Sequence, residues 1–241
     1  MNLLEKKEYV LQNIGVVPVE ELEAYNDNFA HVFTKNSSSF EGEKVTLAKV
    51  IQVVKGNKLS GDMTLDRTIY NNYVTFKEVC EKAKEKQPLT EEYVKDIHEK
   101  LMNGIQNGGL YRNVDIKIRG SKHTPCSYLK VYDRMAKFFY DINSGEKTDL
   151  ELCAYTHLQI AKVHPFLDGN GRLARLMLNY QLIACGYLPI SFKAKVKEEY
   201  FNTLEEFKVN KTEEPFMALL NKVLNREYDR MIELIDKYKN N

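Results

Sequence analysis

The sequence predicts an all-α protein with one short β-hairpin, built as a single domain over residues 1–241, and three observations carry that expectation. Apolar residues recur at i, i+3, i+4 and i+7 through most of the chain, the spacing of one helix face. Alternation of apolar and polar residues is confined to one segment, Leu110 to Lys122. No repeat, low-complexity tract or charge block marks a boundary, and Gly 12 with Pro 6 is too little for a linker-rich chain.

Taken in order, residues 2–13 and 19–34 read as amphipathic helices and 46–55 as a short helix behind Thr46. Residues 64–85 and 90–106 read as longer helices with Thr64 and Thr90 as N-caps, because a Thr hydroxyl accepts a hydrogen bond from a free first-turn N–H. The hairpin follows: Val114, Ile116 and Ile118 alternate with Asp115, Lys117 and Arg119 between Gly108-Gly109 and Gly120. Further helices are expected at 126–141, 149–163, 170–185, 195–209 and 213–238. The core lies at about 46–190, and 195–238 closes the bundle.

Lys+Arg 35 against Asp+Glu 34 leaves a net charge of +1, so the chain has no global basic field of the kind that drives binding to nucleic acid or an anionic membrane. Neither partner is expected, and the charged closing helices carry no DNA-reading motif. Any phosphate must be met locally. The longest uncharged run, Leu176 to Phe192, contains Asn179, Gln181, Gly186 and Pro189 and falls short of the roughly 20 apolar residues of a membrane span. Charges at Glu5, Lys6, Lys7 and Glu8 exclude a secretory apolar region, and Cys80, Cys126, Cys153 and Cys185 show no C-x-x-C spacing. Reduced thiols and a cytoplasmic location are expected. His31 and His98 lack acidic or His partners at ligand spacing, so no zinc site is expected, and His157 reads as a hydrogen-bonded packing residue.

Chemistry concentrates in the run from His164 to Arg175, His-Pro-Phe-Leu-Asp-Gly-Asn-Gly-Arg-Leu-Ala-Arg. Gly169 and Gly171 lack Cβ atoms where a backbone must turn N–H groups inward, and Asn170 tolerates the left-handed region, so the three form an anion-binding nest. A helix starts there, with Leu173, Leu176, Met177, Tyr180 and Ile183 on one face, and its positive dipole end faces the loop. Arg172 and Arg175, at i and i+3, present two guanidinium forks beside the nest. Asp168 is a hard oxygen ligand suited to Mg²⁺ shared with phosphates, and His164 ends the preceding helix as a candidate general base. The run is neither a P-loop nor a strand-bound G-x-G-x-x-G.

This run resembles, without a departure, the H-P-F-x-[DE]-G-N-G-R-x-x-R motif of the Fic (filamentation induced by cAMP) family, and the resemblance extends over roughly residues 36–225. It implies a mainly helical Fic fold that transfers AMP from ATP to a Tyr, Ser or Thr hydroxyl of a target protein, with pyrophosphate leaving. In that scheme His164 deprotonates the hydroxyl, Asp168 holds Mg²⁺ or Mn²⁺, and Gly169, Asn170 and Gly171 cradle the α- and β-phosphates. Arg172 binds phosphate near the leaving group and Arg175 the γ-phosphate. The hairpin at 110–122 resembles the family's flap, along which a target segment lies as an added strand.

Upstream, Ser37-Ser38-Ser39-Phe40-Glu41-Gly42 alone reads as a Ser-rich helix cap ending at Gly. Beside the first motif it resembles the family's inhibitory [ST]-x-x-x-E-[GN] motif, with Ser37, Glu41 and Gly42 at the defining positions, in the class with an N-terminal inhibitory helix. Glu41 is then expected to pair with Arg175 and to take the guanidinium meant for the γ-phosphate. Glu43 stands where many relatives carry Asn. Self-modification and a homo-oligomer are both compatible with the family. Two other readings use the same residues: removal of AMP with Glu41 orienting a water, and a non-catalytic nucleotide-binding module, which the presence of His164, Asp168 and both arginines disfavours.

Overall fold

The computed structural model describes residues 1–42, 44–56 and 63–239. Among these the regular elements are helical: α1 (Leu3–Asn13), α2 (Val19–Ser39), α3 (Leu47–Val54), α4 (Met63–Lys84), α5 (Glu91–Met102), α6 (Val131–Asn143), α7 (Asp149–Val163), α8 (Asn170–Ala184), α9 (Lys197–Asn210) and α10 (Glu214–Lys239). No described helix is long and apolar enough to cross a membrane.

Helix α8 is the axis of the molecule. Every residue from Arg172 to Leu182 is buried, so the one-faced amphipathic helix expected from the spacing is covered on all sides. Leu173, Met177 and Tyr180 pack into one apolar cluster with Phe33 of α2, Phe76 of α4, Ile97 of α5 and Phe138 of α6. Leu178 and Leu182 pack into a second with Leu158 of α7, Phe207 of α9 and Val10 of α1, which α10 closes through Leu220 and Leu224. Thr46 and Thr90 cap α3 and α5 as expected, accepting from the N–H groups of Lys49 and Tyr93, each at 3.2 Å. Thr64 is not a cap, because it lies inside α4.

Helix α2 runs five residues beyond the expected end at residue 34 and takes in the Ser cluster. The serines are tolerated in a helix because their hydroxyls find partners there. Ser38 Oγ accepts from Asn72 Nδ2 at 3.3 Å, and Ser39 Oγ donates to the Lys35 carbonyl at 2.7 Å. Just before them, Asn36 Nδ2 donates to Ser191 Oγ at 2.9 Å.

The expected β-hairpin is a correction. Residues 110–122 carry no strand and form an irregular flap. Val114, at the centre of the alternating pattern, is 48% exposed, so no apolar face is sheltered to enforce a register. Side chains occupy the backbone groups a ladder would use: Arg112 donates to the carbonyls of Val114 and Cys126, and Glu205 accepts from the Lys122 N–H at 2.9 Å.

Candidate active site

Helix α7 ends by turning sharply. His164 caps it with φ 52° and ψ 61°, a left-handed conformation that is uncommon without glycine, while its N–H still reaches the Ile160 carbonyl at 3.0 Å. Arg112 supplies the restraint from outside the helix. Its Nε donates to the His164 carbonyl at 3.0 Å, and its backbone N–H donates to the Pro165 carbonyl at 2.9 Å. Phe166 then plugs the loop into the core, fully buried, its ring stacked 3.6 Å from that of His98 and 5.3 Å from that of Tyr111.

His98 ties three segments together. A backbone N–H can only donate, so the 3.0 Å contact from Gly109 makes Nδ1 an acceptor and places the proton on Nε2, which donates to the Asp168 carbonyl at 2.9 Å. Burial pushes its pKa down to about 4, consistent with a neutral ring in this role.

Gly169 provides the second turn, with φ +74°, and a Cβ there would lie 2.8 Å from Met102 Sδ. Asn170 departs from the expected left-handed nest. It is the first residue of α8, and its buried side chain does the work: Oδ1 accepts from the Phe166 N–H and Nδ2 donates to the Phe166 carbonyl, both at 2.9 Å. This closed clamp fixes the loop from Phe166 to Asn170. It also points the dipole and free first-turn N–H groups of α8 toward the mouth of the site.

The two arginines one turn further on are buried, Arg172 at 2% and Arg175 at 4% exposure. Arg175 is held from α2: Nε donates to Ser37 Oγ at 2.9 Å and Nη2 to the Ser37 carbonyl at 2.9 Å. Glu41, just beyond α2, lies across both guanidiniums. Its Oε2 is 2.8 Å from Arg172 Nε and its Oε1 is 3.4 Å from Arg175 Nη2. A Cβ built on Gly171 would lie 3.6 Å from Glu41 Oε1, so the carboxylate sits directly over the first turn of α8. Gly42 follows at φ +110°, a conformation that favours glycine, and turns the chain away. Glu43 lies outside the described residues.

His164 and Asp168 complete the mouth. Burial pushes the His164 imidazole down to about 4, against a smaller opposing pull from the Ala161 backbone, so the ring is neutral near pH 7 and able to accept a proton. The Asp168 side chain is 60% exposed and touches Arg172 Nη2 only through Oδ2, at 3.4 Å. Its other oxygen therefore offers a hard donor toward the opening, which fits a divalent cation completed by phosphate and water oxygens. Among the described residues no group of three or more His, Cys, Asp or Glu could hold a metal without such help.

The fold thus gathers His164, Asp168, Gly169, Asn170, Gly171, Arg172 and Arg175 around one helix terminus and brings Ser37, Glu41 and Gly42 to it from far upstream. His157 is a packing residue, fully buried, with Nε2 3.0 Å from the Tyr200 hydroxyl. Arg112 escaped the sequence reading, because nothing in the polar, charged surroundings of Gly108 to Asp115 sets it apart.

The Fic/DOC family matches residues 88–182. That segment is a Fic domain. The protein adenylyltransferase Fic of Drosophila grimshawi is 25% identical over 190 residues, covering 76% of this chain and 38% of the fly protein. The chain therefore spans about two-fifths of the length of that curated relative. A Fic domain-containing signalling protein of Bacteroides thetaiotaomicron shares the fold at 24% identity with a TM-score of 0.84, over 98% of this chain and 96% of that one. A more distant Fic structure, IbpAFic2-H3717A in complex with adenylylated Cdc42, aligns at 16% identity and a TM-score of 0.54, over 92% of this chain and 77% of that one.

Proposed function

We propose that this Fic domain is a self-inhibited protein adenylyltransferase, moving AMP from ATP to a Tyr, Ser or Thr hydroxyl of a target protein. The observation that carries the reading is the Glu41 carboxylate lying across Arg172 and Arg175 over the first turn of α8. A buried pair of guanidiniums beside free helix N–H groups suits a polyphosphate, and an internal carboxylate standing there competes for the same charge. The adenylyltransferase name of the Drosophila grimshawi relative and the adenylylated Cdc42 held by IbpAFic2 support the same reaction class.

In this mechanism the neutral imidazole of His164 accepts the proton of the target hydroxyl as its oxygen attacks the α-phosphorus of ATP. The new oxygen–phosphorus bond replaces the bond to the β-phosphate bridging oxygen, which leaves with pyrophosphate. The α8 terminus and Arg172 stabilise the charge that gathers on the leaving group, and Arg175, once Glu41 releases it, holds the γ-phosphate. Asp168 is the residue to hold Mg²⁺ or Mn²⁺, which would neutralise phosphate charge. Arg112 keeps the His164 backbone in its left-handed turn while gripping the flap at Val114 and the chain beyond it at Cys126, so the base and the proposed target-docking segment move as one piece. An incoming extended segment would pair with the flap backbone groups that Arg112 and Glu205 leave free.

The test is incubation of the parent chain, Glu41→Gly and the Glu41→Gly/His164→Ala double variant with Mg²⁺ and α-labelled ATP, read by intact mass. A gain of one AMP on Glu41→Gly alone supports the reading. Equal labelling of all three removes it.

A further inference from the structure

Between the residues that follow the flap and the C-terminal end of α7 lies a cavity of about 360 Å³ lined by four cationic side chains. Arg134 and Lys137 enter it from α6, Lys162 from α7 and Lys211 from the end of α9, with His123 at one edge. Among the described residues no carboxylate lines it. Asp141 answers Lys137 at 2.8 Å, and Glu205 is committed to Ser121, the Lys122 N–H and Lys208, which leaves Arg134, Lys162 and Lys211 facing one another. Their mutual cost registers on Lys162, whose ammonium is lowered first by burial and then by Lys211 and Arg134. In a chain of net charge +1, such a concentration is local and is relieved by an anion.

The position of the cavity identifies the anion. One wall is Thr124 and Cys126, the continuation of the flap, and another is Lys162 and Val163, the two residues before His164. A segment running along residues 110–122 with its hydroxyl at His164 therefore passes the opening. We propose that this cavity is a specificity pocket that takes Asp or Glu side chains of the target segment flanking the modified hydroxyl. The inference rests on the adenylyltransferase reading for its context and on the pocket alone for its chemistry.

The test measures binding without ATP. A fluorescein-labelled Glu-rich peptide with one central Tyr, and matched Gln-rich and Lys-rich peptides, are titrated with the full chain and followed by anisotropy. The pocket predicts that the Glu-rich peptide binds at least tenfold more tightly than either control. It also predicts that Arg134→Glu or Lys211→Glu, both at exposed positions, each lowers that binding at least tenfold, with Arg134→Lys retaining it. Equal binding of Glu- and Gln-rich peptides, or unchanged binding by the charge-reversal variants, overturns the proposal. Displacement of the peptide by an equal concentration of inorganic phosphate also overturns it, because the site is then a small-anion pocket. Self-labelling of Glu41→Gly, set beside peptide binding by the same variant, separates the two claims: charge-selective binding without label sinks the transferase reading alone, and label without charge-selective binding sinks the pocket alone.

Discussion

Oε2 of Glu41 lies 2.8 Å from Nε of Arg172, closer than Oε1 lies to Arg175 at 3.4 Å. The family resemblance pairs this Glu with the second arginine of the motif. Here the carboxylate bridges both, and Ser37 does most of the holding of Arg175 through two hydrogen bonds. The proposed brake is therefore a two-residue device in which Ser37 parks one guanidinium and Glu41 offsets one of the pair's two positive charges.

Removing the parking contact should have a smaller effect than removing the charge. Ser37→Ala deletes the bond from Arg175 Nε but keeps the one to the carbonyl, leaving a buried charged donor short of a partner. A loss of about 1.5–3 kcal/mol of stability is expected by denaturant titration, since hydrogen bonds to charged groups contribute at that level. Labelling by ATP should rise, but less than for Glu41→Gly. A variant as stable as the parent contradicts the role given to Ser37.

Arg112 is predicted to matter for turnover of a protein target more than for nucleotide affinity. Arg112→Ala removes the bonds to His164, Val114 and Cys126 together, so the base and the flap lose their common anchor. In the Glu41→Gly background, AMP transfer should fall at least tenfold while ATP affinity changes by less than threefold. Parallel loss of both would show a merely structural contribution.

Acid should unfold this protein before it silences the base. His98, His157 and His164 are held neutral by burial, with pKa values pushed down to about 4, 3 and 4. The unfolded chain binds their protons near the usual 6.5, so between about pH 6.5 and 4 it carries more protons than the native state, and stability falls as pH is lowered through that window. Thermal unfolding from pH 8 to 4.5 should show Tm roughly flat above pH 7 and declining below 6.5, with His157→Phe reducing the slope. The rate of transfer per folded molecule should stay nearly constant from pH 8 to 6. A sharp loss with a midpoint near 6.5 would mean that the base titrates as an ordinary exposed imidazole.

Breaking the loop clamp should cost both stability and function. Asn170→Ala strands the buried Phe166 N–H and carbonyl, for which about 1–3 kcal/mol is expected by urea unfolding. Asn170→Asp keeps only the acceptor half and should fall between parent and Ala. If Asp and Ala are equally damaging, the two hydrogen bonds are not separable contributions.

Much of this architecture could be read from the residues because local chemistry and final fold agree. Thr46 and Thr90 cap the helices they precede, Pro165 follows the α7 terminus, and Gly169 takes the positive φ its lack of Cβ permits. The misreadings share one cause, which is tertiary partners overriding local pattern. Ser37 to Ser39 look like a cap, yet Asn72, Arg175 and the Lys35 carbonyl engage them inside a continuing helix. Val114, Ile116 and Ile118 alternate like a strand, yet Arg112 and Glu205 take up the backbone groups around them. Asn170 looks like a turn residue, and its side chain rather than its φ proved decisive. Arg112 carried no motif at all, since its importance depends on carbonyls at Cys126 and His164, both distant in sequence.

The measurement that bears most directly on the central claim is the rate of AMP incorporation from α-labelled ATP into the chain itself and into a Tyr-containing acceptor peptide, compared between the parent and Glu41→Gly under identical Mg²⁺. The arrangement of Glu41 over Arg172 and Arg175 predicts an increase of at least tenfold, abolished by adding His164→Ala. Equal rates for parent and Glu41→Gly, with ATP bound by both, would contradict it.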